Sequence, residues 1–300
     1  MTGPGARTGL LLAGGLAVVL AGTAAPSTAL ATHVPSVASV SPAGASPSEL
    51  HSLSLIHRHR TQAHSILLKD LSTGRTLYES GANRRVAPAS LTKIMSALVI
   101  LEYGQLNDLV TVSRHAASAR KIHLRLHAGH VFRLEDLLKA MLITSANDAC
   151  LAAAEHVGGS EAMFVAMMNN KARRLGLLDT HFDNACGFDG PTHYTTAADL
   201  ATLSEAAMQD RTFRQLVRKE VDMIFPVNAN RSYWLRSTNR LLGRVPGVEG
   251  IKTGFTSKAG RCVVVKASQN GKEVLLVLLH ANRRWDTAST LLRQGLQSVQ

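Results

Sequence analysis

Apolar positions along the chain follow two different spacings. Ala63–Lys69 and Arg75–Glu79 read as short strands flanking Asp70-Leu71-Ser72-Thr73-Gly74, a turn sequence that predicts a hairpin. From Pro88 to Arg174 the spacing becomes helical, with apolar runs at 91–101, 134–143, 149–157 and 162–168. Thr195-Thr196-Ala197-Ala198-Asp199 predicts a capping box opening a further helix through Met208. After Pro246 strands return at Val248–Thr256, Cys262–Ser268 and Val274–His280, with Gly260 and Gly271 in the loops, and a last helix is expected from Asp286 to Gln297. Strands at both ends with helices between them predict an α+β fold: one antiparallel sheet built from both ends of the chain, beside a largely helical lobe.

The opening segment belongs to neither pattern. Arg7 is its only charge, Gly9–Gly22 is unbroken Gly, Ala, Val and Leu, and Ala29-Leu30-Ala31 is a small-x-small cleavage site. That arrangement reads as a secretory signal peptide over 1–31, since a membrane span needs about 20 apolar residues. An uncleaved N-terminal anchor is the other reading. Residues 32–61 are expected to be a linker, rich at first in Pro, Ser, Ala and Val, and 62–300 the functional domain.

Composition then narrows the setting. At 300 residues, 45% apolar and 18% charged, the chain is long enough to bury a core, and disorder is excluded. Its net charge is +12, of which the leader carries only Arg7, so the excess belongs to the exported part. No run of five or six consecutive basic residues occurs and aromatics are 4%, which argues against a nucleic-acid partner. Peripheral association with an anionic envelope fits better. Three cysteines, Cys150, Cys186 and Cys262, allow at most one internal bridge and are expected to be small buried residues.

Candidate chemistry starts at Pro88-Ala89-Ser90-Leu91-Thr92-Lys93, where a Ser and a Lys three residues apart share one helix face. The helix that follows is apolar on nearly every side, so Lys93 is expected to be buried, where desolvation makes a neutral amine accessible as a base. Ser90 can then act as nucleophile, or serve only as an N-cap. Ser-x-x-Lys arises by chance about once in such a chain, and it recurs at Ser118-Ala119-Arg120-Lys121, in a polar stretch expected to be solvated loop. Ser145-Ala146-Asn147 lies between two helices, where side chains can face a cleft; an N-cap role, with Asp148 three residues on, is compatible. Ser237-Thr238-Asn239 and Ser268-Gln269-Asn270 share the Ser-x-Asn pattern without that position. Lys252-Thr253-Gly254, inside a strand, occurs once, and its Gly suggests close approach of a ligand. His115, His123, His127 and His130 could bind metal only if one helix face gathered them; no accompanying carboxylate precedes Glu135, and a basic surface is the expectation.

The three motifs in this order resemble the active-site set of penicillin-binding proteins and class A β-lactamases. In their wider contexts, Pro88–Met95, Ser145–Ala149 and Gly250–Thr256, they are similar to the D-alanyl-D-alanine carboxypeptidases. The resemblance covers about residues 62–297 and implies a β-lactamase/DD-peptidase-like fold acting without metal or cofactor. It implies that Ser90 is the nucleophile, Lys93 its base, and Ser145 a proton relay. Asn147 would orient the substrate backbone and Lys252, Thr253 and Gly254 would bind substrate. The N–H groups of Ser90 and Phe255 would form an oxyanion hole, and Arg284, with Arg283 adjacent, would meet the terminal carboxylate. The implied partners are peptidoglycan stem peptides ending in D-Ala-D-Ala, with β-lactams as acylating inhibitors.

Two departures stand out. Ser-Ala-Asn replaces the usual Ser-Gly-Asn, and the chain stops at Gln300 without the family's frequent second domain and C-terminal anchor, which favours a soluble periplasmic form. A DD-endopeptidase cutting cross-links is one alternative activity. Others are a β-lactamase, whose Glu-x-x-Leu-Asn-like loop is missing between Asn147 and Lys252, and a non-catalytic muropeptide-binding protein, which would be expected to lose one of these polar groups.

Overall fold

The structure, a computed structural model, describes residues 63–299. The leader expected over 1–31 and the linker over 32–61 lie outside the described residues. Strands β1 (Ala63–Asp70) and β2 (Thr76–Ser80) form the expected hairpin. Its turn closes on the Asp70 carboxylate, which accepts from the Ser72 N–H and the Thr73 hydroxyl.

The other end of the chain supplies β7 (Val248–Thr256), β8 (Gly260–Gln269) and β9 (Lys272–Ala281). Together they make a five-stranded antiparallel sheet in the order β2-β1-β9-β8-β7. Register places Leu67 opposite Val277 and Val277 opposite Val264. Since successive residues face opposite sides of a strand, Leu67, Val264, Leu275 and Val277 join the core shared with the helical lobe. Ile66, Leu68, Val263, Val265, Leu276 and Leu278 instead pack on the other face, with Leu291 and Leu292 of the last helix, α8 (Arg284–Ser298). With both faces covered, β8 and β9 read as near-continuous apolar runs, as buried strands do. Truncating Leu276, fully buried, to Ala would cost about 2–5 kcal/mol.

The helical lobe contains α1 (Lys93–Tyr103), α2 (Arg114–Ala117), α3 (Leu134–Ile143), α4 (Asn147–Gly158), α5 (Glu161–Arg174), α6 (Ala197–Ala207) and α7 (Arg211–Val217). α1 is the central helix: every residue from Lys93 to Ile100 is buried, against α3, α4, α5 and α6. Side-chain caps start α5 (Ser160), α6 (Thr196, accepting from the Asp199 N–H as the capping-box sequence suggests) and α7 (Asp210). Among the described residues no helix is long and apolar enough to cross a membrane.

The structure departs from the sequence reading in four places. The region 88–174 is interrupted by a two-stranded ribbon, β3 (Leu109–Thr111) with β4 (Val131–Arg133). A second ribbon, β5 (Val221–Ile224) with β6 (Tyr233–Arg236), and helix α7 were also unforeseen; all are too short for periodicity to reveal. Finally, all three cysteines are buried, but Cys150 and Cys186 are joined in a disulfide, so only Cys262 is a free thiol. Folding brings α4 to within a 6.0 Å Cα separation of a loop 36 residues on, a meeting no local pattern announces.

Candidate active site

Ser90 sits in a single 3-10 turn, Ala89–Thr92, that leads into α1. Ala89 before it adopts φ +50°, a left-handed conformation that costs a non-glycine residue about 1–2 kcal/mol. Two contacts impose it. The Thr92 hydroxyl donates to the Ala89 carbonyl (2.9 Å) and lies 2.8 Å from Nε2 of His193. His193 Nδ1 accepts from the Asp183 N–H (2.9 Å), which leaves the ring proton on Nε2, directed at Thr92. Burial lowers the His193 pKa to about 4, so the ring stays neutral. Glycines at two flanking positions admit the turn: a Cβ on Gly187 (φ +87°) would overlap the Ala89 carbonyl, and one on Gly254 would lie 3.1 Å from the Ser90 nitrogen. Ser90 makes no cap bond, and its Oγ lies 3.2 Å from Nζ of Lys93.

Lys93 is fully buried, as the all-apolar helix suggests. Its Nζ donates to Asn147 Oδ1 (2.7 Å) and the Cys186 carbonyl (2.6 Å) as well as approaching Ser90. Desolvation, then the positive charge of Lys252, push its pKa well below the ordinary lysine value, with Asp148 opposing. A buried amine without a carboxylate in hydrogen-bond contact, one bond from a serine hydroxyl, is chemically a base beside a nucleophile.

Ser145 lies between α3 and α4 with φ +66°. The N-cap of α4 is Ala146, without a side-chain cap bond, so the capping role allowed for Ser145 is not the one it has. Its hydroxyl instead accepts from Lys252 Nζ at 2.9 Å. Asn147 is the first residue of α4; besides holding Lys93, it donates through Nδ2 to the Arg120 carbonyl (3.0 Å), and its N–H bonds the Ile122 carbonyl. The 118–121 copy of Ser-x-x-Lys is mostly exposed loop, yet the Arg120 backbone anchors Asn147. Asp148 fixes the same loop, its carboxylate accepting from the Leu124 and Leu126 N–H groups.

Lys252, Thr253 and Gly254 lie on edge strand β7, close to Ser90 through Gly254. Burial and Arg284 lower the Lys252 pKa to about 7. Thr253 Oγ1 pairs with Thr238 Oγ1 at 2.6 Å. Phe255 is 56% exposed, with the Arg261 guanidinium 5.9 Å from its ring. Arg284 donates through Nη1 to the carbonyls of Gly254 (2.9 Å) and Cys262 (2.8 Å), bracing β7 against β8, while its Nε has no hydrogen-bond partner among the described residues. Arg283 instead turns outward to pair with Asp286.

The three motifs, some 160 positions apart at their extremes, are thus brought together. Sequence reasoning missed His193, the Cys186 carbonyl and Thr238. Only Thr238 had a signal, inside a Ser-x-Asn copy set aside for its position. The histidines do not share one helix face: 118–130 is not helical, His115 pairs with Glu155, and His127 meets Arg231 and stacks on His130 with ring centroids 5.0 Å apart. Among the described residues no cluster of three or more His, Cys, Asp or Glu is placed to hold a metal.

A family model described as D-alanyl-D-alanine carboxypeptidase matches residues 54–283. The chain belongs to that family. D-alanyl-D-alanine carboxypeptidase DacF of Bacillus subtilis is 36% identical over 226 residues, covering 74% of this chain and 58% of the relative. DacC of Escherichia coli is 34% identical over 253 residues, covering 78% and 61%. The chain therefore spans about three-fifths of the length of these carboxypeptidases. The crystal structure of a D-alanyl-D-alanine carboxypeptidase from Mycobacterium tuberculosis superposes with a TM-score of 0.74 at 30% identity, over 79% of this chain and 92% of that one. The α+β architecture is accordingly that of the DD-peptidases.

Proposed function

We propose that the chain is a serine-type D-Ala-D-Ala carboxypeptidase, removing the terminal D-alanine of peptidoglycan stem peptides through an acyl-enzyme, and that β-lactams acylate the same serine. The observation that carries this reading is Ser90 Oγ at 3.2 Å from the Nζ of a fully buried Lys93 whose pKa is well lowered. In this mechanism neutral Lys93 takes the Ser90 proton as Oγ attacks the carbonyl of the penultimate D-Ala. The resulting oxyanion meets the N–H groups of Ser90 and Phe255. The proton taken by Lys93 is relayed through the Ser145 hydroxyl, which Lys252 orients, to the departing D-Ala amine, leaving Lys93 neutral; water then cleaves the ester as Lys93 takes its proton and returns it to Ser90 Oγ. Lys252, Thr253 and the positive charge of Arg284 suit the substrate carboxylate. Asn147 holds Lys93 in the free site and orients the substrate backbone by exchanging one of its amide bonds.

The buried acid whose charge Lys93 feels, Asp148, has its carboxylate engaged by backbone N–H groups, which favours a peptidase over a β-lactamase needing a free carboxylate base. Residues 62–300 form the catalytic domain on this reading, with 1–31 directing export to the periplasm and cell envelope and 32–61 as linker. The test is D-Ala release from a stem pentapeptide, run beside a cross-linked muropeptide dimer. Release from the pentapeptide with the dimer intact supports the carboxypeptidase; cleavage of the dimer alone would make the chain an endopeptidase, and no release from either would overturn the reading.

A further inference from the structure

Next to the catalytic strand lies a cavity of about 1170 Å³ lined by Arg236, Arg240, Arg244, Arg261, Arg283 and Arg284, with no lysine. It reaches the catalytic strand through Thr238, the partner of Thr253. Two acids line it, Glu220 and Asp286, and Asp286 is paired with Arg283. Arg236, Arg240, Arg244 and Arg261 are exposed and form no ion pair with any described acid. One terminal carboxylate is satisfied by one or two guanidinium groups, and Arg284 already serves that end of the cleft.

One feature besides the arginines suits this cavity to an anion. The first turn of the fifteen-residue helix α8, Arg284 to Asp286, forms another part of the wall, and no side chain caps it. Backbone N–H groups at such a terminus favour negative charge. Donors thus converge from the β6–β7 connection, from β8 and from a helix end. Guanidinium groups grip carboxylates and phosphates alike in bidentate fashion, but a carboxylate offers two oxygens in one plane, whereas a phosphate offers acceptors in a tetrahedral array to guanidinium groups arriving from several directions.

We propose that this cavity binds a phosphate-bearing chain, forming a second, non-catalytic site that keeps the enzyme on an anionic polymer beside its substrate. The site goes beyond the peptidase reading and is tested separately from it. Calorimetric titration of the full chain with sodium tripolyphosphate is expected to show saturable binding. Arg240→Gln/Arg244→Gln, at two exposed positions, is expected to weaken it at least about tenfold, and Arg261→Gln by about threefold. Penicillin acylation of Ser90 should stay within about twofold of the parent in both variants. Absence of saturable binding, or unchanged binding in the double variant, overturns the site. Tricarballylate, with three carboxylates, should bind at least about tenfold more weakly; equal affinity overturns phosphate as the ligand chemistry. Retention on phosphatidylglycerol vesicles that tripolyphosphate fails to displace overturns a soluble chain as its source. Should the parent bind tripolyphosphate yet resist acylation, the peptidase reading falls and this site stands.

Discussion

Removing the Cys150–Cys186 disulfide is expected to weaken both the fold and the catalytic base. The bridge joins α4 to the loop carrying Cys186, and these two segments supply the Lys93 amine with its acceptors other than Ser90: Asn147 Oδ1 and the Cys186 carbonyl. With a sequence separation of 36, the chain-entropy relation assigns the cross-link about 4 kcal/mol of stability. For a domain of this size that corresponds to a fall in Tm of about 8–16 °C in Cys150→Ala/Cys186→Ala. Loss of one well-placed acceptor of about 0.5–1.5 kcal/mol slows acylation by about two- to tenfold. Thermal and urea unfolding read the first effect, and stopped-flow acylation by a chromogenic β-lactam the second. A Tm within about 2 °C of the parent, together with unchanged acylation, would refute the reasoning, since the bridge would then tether nothing that matters to Lys93.

Other substitutions probe the same network. Lys93→Met keeps an unbranched side chain one atom shorter and removes the amine, so acylation should fall about 10²- to 10⁴-fold while the buried helix stays folded, as measured by acylation rate and circular dichroism. Lys252→Gln removes the charge that depresses the Lys93 pKa; the acid limb of the acylation pH profile should move to higher pH, and a limb unmoved or moved lower would contradict the coupling. Burial lowers the His193 pKa in the folded chain to about 4, against about 6.5 for an exposed histidine, so the unfolded chain binds an extra proton between those values. Stability is thus full above pH 6.5 and declines as pH falls towards 4, by about 3 kcal/mol in total, in urea titrations across that range. His193→Gln should remove this slope.

Much of the site was legible because its chemistry is local. Ser90 and Lys93 are one helical turn apart, the all-apolar run after them places the amine in the core, and a Lys-Thr-Gly triplet in a strand is rare. The sheet was legible too, since runs such as Val274–Leu279 suit a strand covered on both faces. What escaped depends on distant segments meeting. The Cys186 carbonyl has no side-chain signature, and His193 matters through a tautomer set by the Asp183 N–H. Ser145 looked like a helix cap because Asp148 follows it, yet its left-handed backbone presents the hydroxyl to Lys252 from 107 residues away.

The central claim, that Ser90 is a nucleophile activated by Lys93, is tested most directly by intact-protein mass spectrometry after incubation with benzylpenicillin. The account predicts a mass increase of one penicilloyl group on the parent chain, mapped to the peptide containing Ser90 and absent from Ser90→Ala. An unmodified parent, or a Ser90→Ala variant that still acquires the adduct, would contradict it.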